Sequence, residues 1–350
     1  MLTIKAKTLM LYLSIIIAGF YALHLSSLPH EYFKDRSNYL VFISNTDLLM
    51  QARFKPDSIV STLANEPLFL LITQSIQSLF MFDPETTLYG YVFFICFTVC
   101  LFLLRVRNNL LVGVLAIILL LCLPEGYGIQ LGSIRQSFAM GFLLIVLLIK
   151  PNIHSKAFLS TVLVLGFIHS FYFLIFIILF LDKTVIKIHG DKIFFRVLYT
   201  TLFGLLISSV GLIVGSLLGF RQSEGYDSLS TDTSGFGFLV WSIALVFLLI
   251  NYTKSYSSKS QIRNNVMTFA IIGITFYLSL YWFSPIAGRI ISFFSLFTVF
   301  SVFYRYNMTS FFLALFLAVY GISTIFLLER SNSMTVDFIV MYDYLIPFAI

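Results

Sequence analysis

The chain has 350 residues, of which 59% are hydrophobic and 11% charged, whereas roughly a quarter of an average soluble domain is charged. A mean hydropathy of +0.95, with 40 Phe and 19 Tyr, excludes a soluble globule, a disordered chain and a nucleic-acid binder. The net charge of +6 then reads as lysines and arginines gathered on one side of a bilayer rather than as a basic ligand surface. At about 20 apolar residues per span, the expected fold is all-α. It is a polytopic integral membrane protein of about 11 transmembrane helices plus a re-entrant or interfacial helix, one transmembrane domain over residues 1–350.

Lys5 and Lys7 precede an apolar run over 8–28 with no small-x-small cleavage site behind it, which predicts a first, uncleaved span. Residues 29–66 are polar and form a predicted outer loop holding Asp35, Arg36 and Glu66. It leads into 67–82, which starts Asn65-Glu66-Pro67 with proline at the first helical position. Apolar runs follow at 88–104, 108–123, 133–149, 157–181, 196–219, 236–252, 265–283, 289–304 and 308–328, with a second outer loop over 220–235.

Two runs are ambiguous. The 67–82 segment is short and carries Gln74, Ser75, Gln77 and Ser78, whereas 157–181 is long and has His169-Ser170 near its middle. Charge decides between the topologies. If 67–82 dips into the outer leaflet and 157–181 is a hairpin, one side holds 14 basic and two acidic side chains and the other 8 basic and 14 acidic. That partition favours a cytoplasmic N-terminus, with His169 at an outward-facing hairpin apex.

The outer face is where chemistry is expected. Arg135 follows Gly132-Ser133 in the first turn of the 133–149 helix, and Arg289 follows Pro285 and Gly288 in the first turn of 289–304. Helix N-termini favour anions, and a guanidinium in the same turn adds a bidentate phosphate donor. Two such arrangements on one face suggest a diphosphate. A single arginine at a helix end is as often a snorkelling anchor, but anchors prefer the cytoplasmic side. His169 could equally be a satisfied structural residue. His24 is weaker still, and His154 and His189 read as solvated. Cys96, Cys100 and Cys122 sit in apolar runs, which argues for packing and against disulfides or a metal cluster. There is no G-x-x-x-x-G-K-[ST], no H-E-x-x-H and no Asp-x-Asp pair, so neither a nucleotide-driven cycle nor a metal or other cofactor is expected. Asp83-Pro84-Glu85 is the near miss, and acids there more simply begin a helix.

Several residues together resemble the EpsG/Wzy family of oligosaccharide-repeat polymerases. They are Asp35-Arg36-Ser37-Asn38-Tyr39, Asn65-Glu66-Pro67, Ile134-Arg135-Gln136-Ser137-Phe138-Ala139, Phe167-Ile168-His169-Ser170 and Gly288-Arg289-Ile290. The resemblance implies a GT-C-like, metal-independent glycosyltransferase of the bacterial cytoplasmic membrane with an extracytoplasmic site. Its donor and acceptor would be oligosaccharide repeat units on undecaprenyl diphosphate. The bilayer, and a chain-length regulator and flippase of the same pathway, would be its other partners. On this reading Arg135 and Arg289 hold the diphosphate with Gln136 in support, and His169 is base or third phosphate contact. Asp35, Tyr39 and Glu66 meet sugar hydroxyls or share the base role, and Arg221 of the second outer loop contacts substrate. A lipid-linked oligosaccharide flippase should instead carry charges at the bilayer midplane. An O-antigen ligase would differ mainly in its acceptor. A membrane O-acyltransferase would draw its donor from the cytoplasm.

Overall fold

The computed structural model describes residues 4–30, 33–53, 65–105, 109–150, 152–217, 235–255, 261–282, 287–304 and 307–330. All regular structure among them is helical: α1 (Ile4–Ser26), α2 (Lys34–Ser44), α3 (Thr46–Arg53), α4 (Pro67–Phe80), α5 (Pro84–Leu104), α6 (Leu110–Cys122), α7 (Pro124–Tyr127), a π-helical turn (Gly128–Gly132), α8 (Ile134–Ile149), α9 (Lys156–Leu165), α10 (Phe171–His189), α11 (Ile193–Leu217), α12 (Phe236–Ser255), α13 (Gln261–Leu280), α14 (Ala287–Tyr304) and α15 (Met308–Arg330). Six described helices are long and apolar enough to cross a bilayer, or seven if the bent pair α6–α7 with its π turn counts as one span. About 11 were expected. The shorter α4, α8 and α9 fall below the test, since 10 to 16 residues reach only about 15–24 Å of a ~30 Å core.

The chain divides into two compact units. The first comprises residues 1–46, 72–145 and 314–350. Here α1 packs along α5, and its buried stripe is Ser14, Ala18, Ala22 and Leu25, in which the serine and alanines permit close helix approach. The remaining faces of α1, with Tyr12, Ile16 and Phe20, stay exposed, as suits lipid contact. Asp83 caps α5, accepting from the Thr86 amide at 2.7 Å. Hydrogen bonds from Thr86, hydroxyl first and amide second, hold its carboxyl below the ordinary value, so this acid does begin a helix.

The predicted outer loop contains two helices, α2 and α3, that its polar composition concealed. Arg36 anchors the first of them. It is buried and donates to the carbonyls of Leu28 (2.9 Å) and Leu25 (3.3 Å) at the end of α1, with its guanidinium over the Phe33 ring. Burial pushes its pKa down to about 10, well short of neutralising it. A cation on orphan C-terminal carbonyls complements the helix dipole, so Arg36 fixes where α2 begins.

After α6 the chain turns by 99° at Pro124. Gly126 is required there, because a Cβ would fall on the Leu120 carbonyl oxygen. Gly321 of α15 lies equally close to the Cys122 carbonyl, and Tyr320 donates to Glu125 at 2.9 Å. Gln130 of the π turn donates to the Gly126 carbonyl and accepts from Tyr21 at 2.6 Å. This break delivers the chain to the start of α8.

The second unit comprises residues 47–71 and 146–313. Helix α14 is its centre, with 72% of its apolar span buried, whereas α11 buries 17% and presents an apolar outer face. Phe269, Phe293, Phe294 and Phe297 pack mainly edge to face around α14. The 157–181 run is two helices. Lys183 donates to the His154 carbonyl at 3.0 Å, and His154 Nε2 lies 3.3 Å from Asp182. Residues twelve or more positions either side of the 166–170 turn are therefore side by side, so α9 and α10 form an antiparallel hairpin.

Candidate active site

In the second unit the hairpin turn runs Gly166-Phe167-Ile168-His169-Ser170. The His169 amide still donates to the Leu165 carbonyl, and the Tyr172 amide to the His169 carbonyl, so the turn is internally bonded and holds the imidazole in place. Gly166 makes room for the Phe173 ring. Against this turn lies the start of α4. The Leu68 amide, one of the N–H groups a helix start leaves without an intrahelical partner, donates to the Phe167 carbonyl at 3.0 Å. Glu66 has φ of +61°, a left-handed conformation costing about 1–3 kcal/mol for such a residue. That backbone is compensated by what its side chain does.

Glu66 and His169 are both buried, at 4% and 5% exposure, and His169 Nδ1 bonds directly to Glu66 Oε1. The same oxygen accepts from the Ser170 amide at 3.4 Å, which caps the start of α10. A carboxylate can only accept, so the proton of a neutral imidazole sits on Nδ1, and Nε2 is then the acceptor nitrogen. Arg289 is the third residue of α14 and is exposed. One turn later Phe293 meets Phe171 and Tyr172, at 5.3 and 5.7 Å between ring centroids, and so sets the start of α14 against the start of α10. Glu66, His169 and Arg289 therefore belong to one end of this unit.

The first unit carries the other candidates. Arg135 is the second residue of α8; its amide and Nε donate to the Tyr39 hydroxyl at 3.4 and 3.3 Å. Its guanidinium carbon lies 5.7 Å from the Tyr39 ring centroid and 5.3 Å from that of Phe42. Tyr39, expected to meet sugar hydroxyls, is held against Arg135 by these two bonds. Gln136 is buried beside it. Asp35 lies in α2 with its side chain outside the described set, and Arg221 with the whole 220–235 loop lies outside the described residues.

Sequence reasoning missed a second ionic cluster. Arg196 forms a fork on Asp182 at 2.7 and 2.6 Å and also pairs with Asp191. His154, read as solvated, packs against Asp182 instead, and burial lowers its pKa despite that carboxylate. Hydropathy carried no signal for this pairing. His189, the other histidine read as solvated, stacks on Phe195. No group of three or more metal-ligating side chains occurs among the described residues.

Neither the curated proteins nor the solved structures yield a match. The sequence model of the EpsG family, however, matches residues 7–344, nearly the whole chain, and the chain therefore belongs to the EpsG family.

Proposed function

We propose that this chain is a GT-C-like, inverting polysaccharide polymerase joining undecaprenyl-diphosphate-linked repeat units on the outer face of the bacterial cytoplasmic membrane. The observation that carries the reading is the buried Glu66–His169 pair at a hairpin apex, in the unit where Arg289 opens a helix. The acceptor hydroxyl is a poor nucleophile, and His169 Nε2 takes its proton as oxygen attacks the anomeric carbon. The bond from that carbon to the diphosphate oxygen breaks with inversion, and undecaprenyl diphosphate leaves with the electron pair. Arg289 stabilises the charge that develops on it. Glu66 stabilises the imidazolium, as the carboxylate of a triad does. A diphosphate is already a good leaving group, so a guanidinium meets the electrostatic demand without a metal. The lysines at the hairpin base support the orientation, because the positive-inside rule puts that end in the cytoplasm and the apex outward.

The class of reaction is tested by the surface glycan of a deletion strain. Loss of a polymerase should leave single repeat units on the acceptor, whereas loss of a flippase or ligase should remove them. An absence of single units would retire the polymerase reading.

The clamp has its own test. Arg289→Lys keeps the charge but loses the planar fork, so polymer formation should fall about 100-fold or more at wild-type protein level. A simple membrane anchor would accept lysine. Full-length polysaccharide from Arg289→Lys would remove this residue from the diphosphate site.

A further inference from the structure

At the base of the α9–α10 hairpin, the far end from His169, two carboxylates share one guanidinium. Asp182 is buried in the Arg196 fork, and Asp191 pairs with the same guanidinium and accepts from Tyr252. Around this knot stand Lys150, Lys156, Lys187 and Lys192, all exposed and in no ion pair among the described residues. Their proximity follows from the knot itself. The 152–155 turn touches Asp182 and Lys183, Lys187 is one turn further along α10, and Lys192 leads into Arg196.

The lysines are interleaved with exposed apolar side chains. Ile149 (71% exposed) adjoins Lys150, Ile188 (67%) adjoins Lys187, and Phe194 (67%) lies two residues past Lys192. An acidic soluble partner or free phosphate would give those apolar groups nothing to enter. A phospholipid leaflet gives both: anionic headgroups for the ammonium groups and hydrocarbon just beneath for the isoleucines and phenylalanine.

We propose that the base of this hairpin is a binding surface for anionic phospholipid headgroups, formed by Lys150, Lys156, Lys187 and Lys192 around the buried Arg196–Asp182 fork. The surface is independent of the Glu66–His169 chemistry. The recognised group is a phosphodiester whose charge no headgroup cation neutralises, and the lipid is its source.

The test uses the purified full chain in mixed micelles of equimolar phosphatidylglycerol and phosphatidylcholine with identical acyl chains, and reads the retained lipid by mass spectrometry. Phosphatidylglycerol should be enriched by about fivefold for each lysine engaged, and high salt should erase the enrichment. Combining Lys150→Gln, Lys156→Gln, Lys187→Gln and Lys192→Gln should bring the ratio near unity, and the four Lys→Arg changes should preserve it. On the wild-type chain, amine labelling should show these four lysines protected in phosphatidylglycerol and reactive in phosphatidylcholine, a readout that needs no variant. Equal retention of the two lipids, unchanged enrichment in the glutamine variant, or labelling indifferent to lipid would each overturn the proposal. Displacement of the lipid by inorganic phosphate, at an ionic strength where chloride has no effect, would reassign the surface to a soluble anion and overturn it too.

Discussion

Replacing His169 with Gln should slow polymerisation by about 100-fold to 10,000-fold with normal protein levels, and no pH should restore it. Gln can hydrogen-bond to Glu66 but cannot take a proton from an acceptor hydroxyl. Glu66→Ala should approach the same loss, because the imidazole then lacks the acceptor on Nδ1 that leaves Nε2 basic, and the Ser170 amide loses its acceptor as well. Glu66→Gln should be the mildest of the three. Its Oε1 can still accept from both groups, and only the negative charge that stabilises the imidazolium is gone. A general base takes a proton only when it is itself unprotonated, so the rate should rise with pH rather than fall. A cationic phosphate contact would produce the opposite slope. The measurement is the rate-against-pH curve of purified protein on lipid-linked repeat units. A Glu66→Gln enzyme at the wild-type rate would reduce Glu66 to a cap on α10, and a His169→Gln enzyme at that rate would end the base assignment.

The apolar helices were legible because burial in lipid demands long uncharged runs, and α5, α8, α12, α14 and α15 begin within about four residues of the predicted starts. The hairpin was legible through charge, since Lys150 and Lys156 had to share a side with Lys183 and Lys187. Helices α2 and α3 were not, because the burial that organises α2 falls on a few scattered side chains, Phe33, Arg36 and Ile43, inside a polar stretch. The path from Cys122 to Ile134 had its punctuation in view, Pro124, Gly126, Gly128 and Gly132, but a 99° turn and a π-helical turn depend on what packs against them. The site behaved likewise. Glu66 was singled out beside a helix-starting proline and His169 as a polar break in an apolar run, yet 103 positions separate them. Only tertiary structure reveals that they are partners, or that Tyr39 belongs to Arg135.

The second large effect belongs to the Arg196 knot and concerns stability. Arg196→Met should lower the unfolding free energy by about 3–5 kcal/mol, because Asp182 is left buried without its fork. Combining it with Asp182→Leu should recover most of that loss, since an apolar pair of similar volume carries no desolvation cost. The groups facing His154 make pH a second readout. Burial lowers its pKa most; Asp182 and Asp191 raise it, and Arg196 and Lys183 lower it further. A folded value below the ordinary one means the unfolded chain binds more protons over that window. The wild-type contribution of His154 is therefore complete above the ordinary imidazole value and lost as pH falls through the folded value. Without Arg196 one depressing charge is gone and Asp182 lacks a cation, so protonated His154 becomes its natural partner. Acidification across the imidazole range should then cost Arg196→Met less than it costs the wild type, or even stabilise it. Thermal unfolding of both proteins at several pH values in one detergent measures the difference. Parallel pH slopes would show that His154 does not sense the knot, and a small loss in Arg196→Met would show that Asp182 finds water or another donor once the fork is removed.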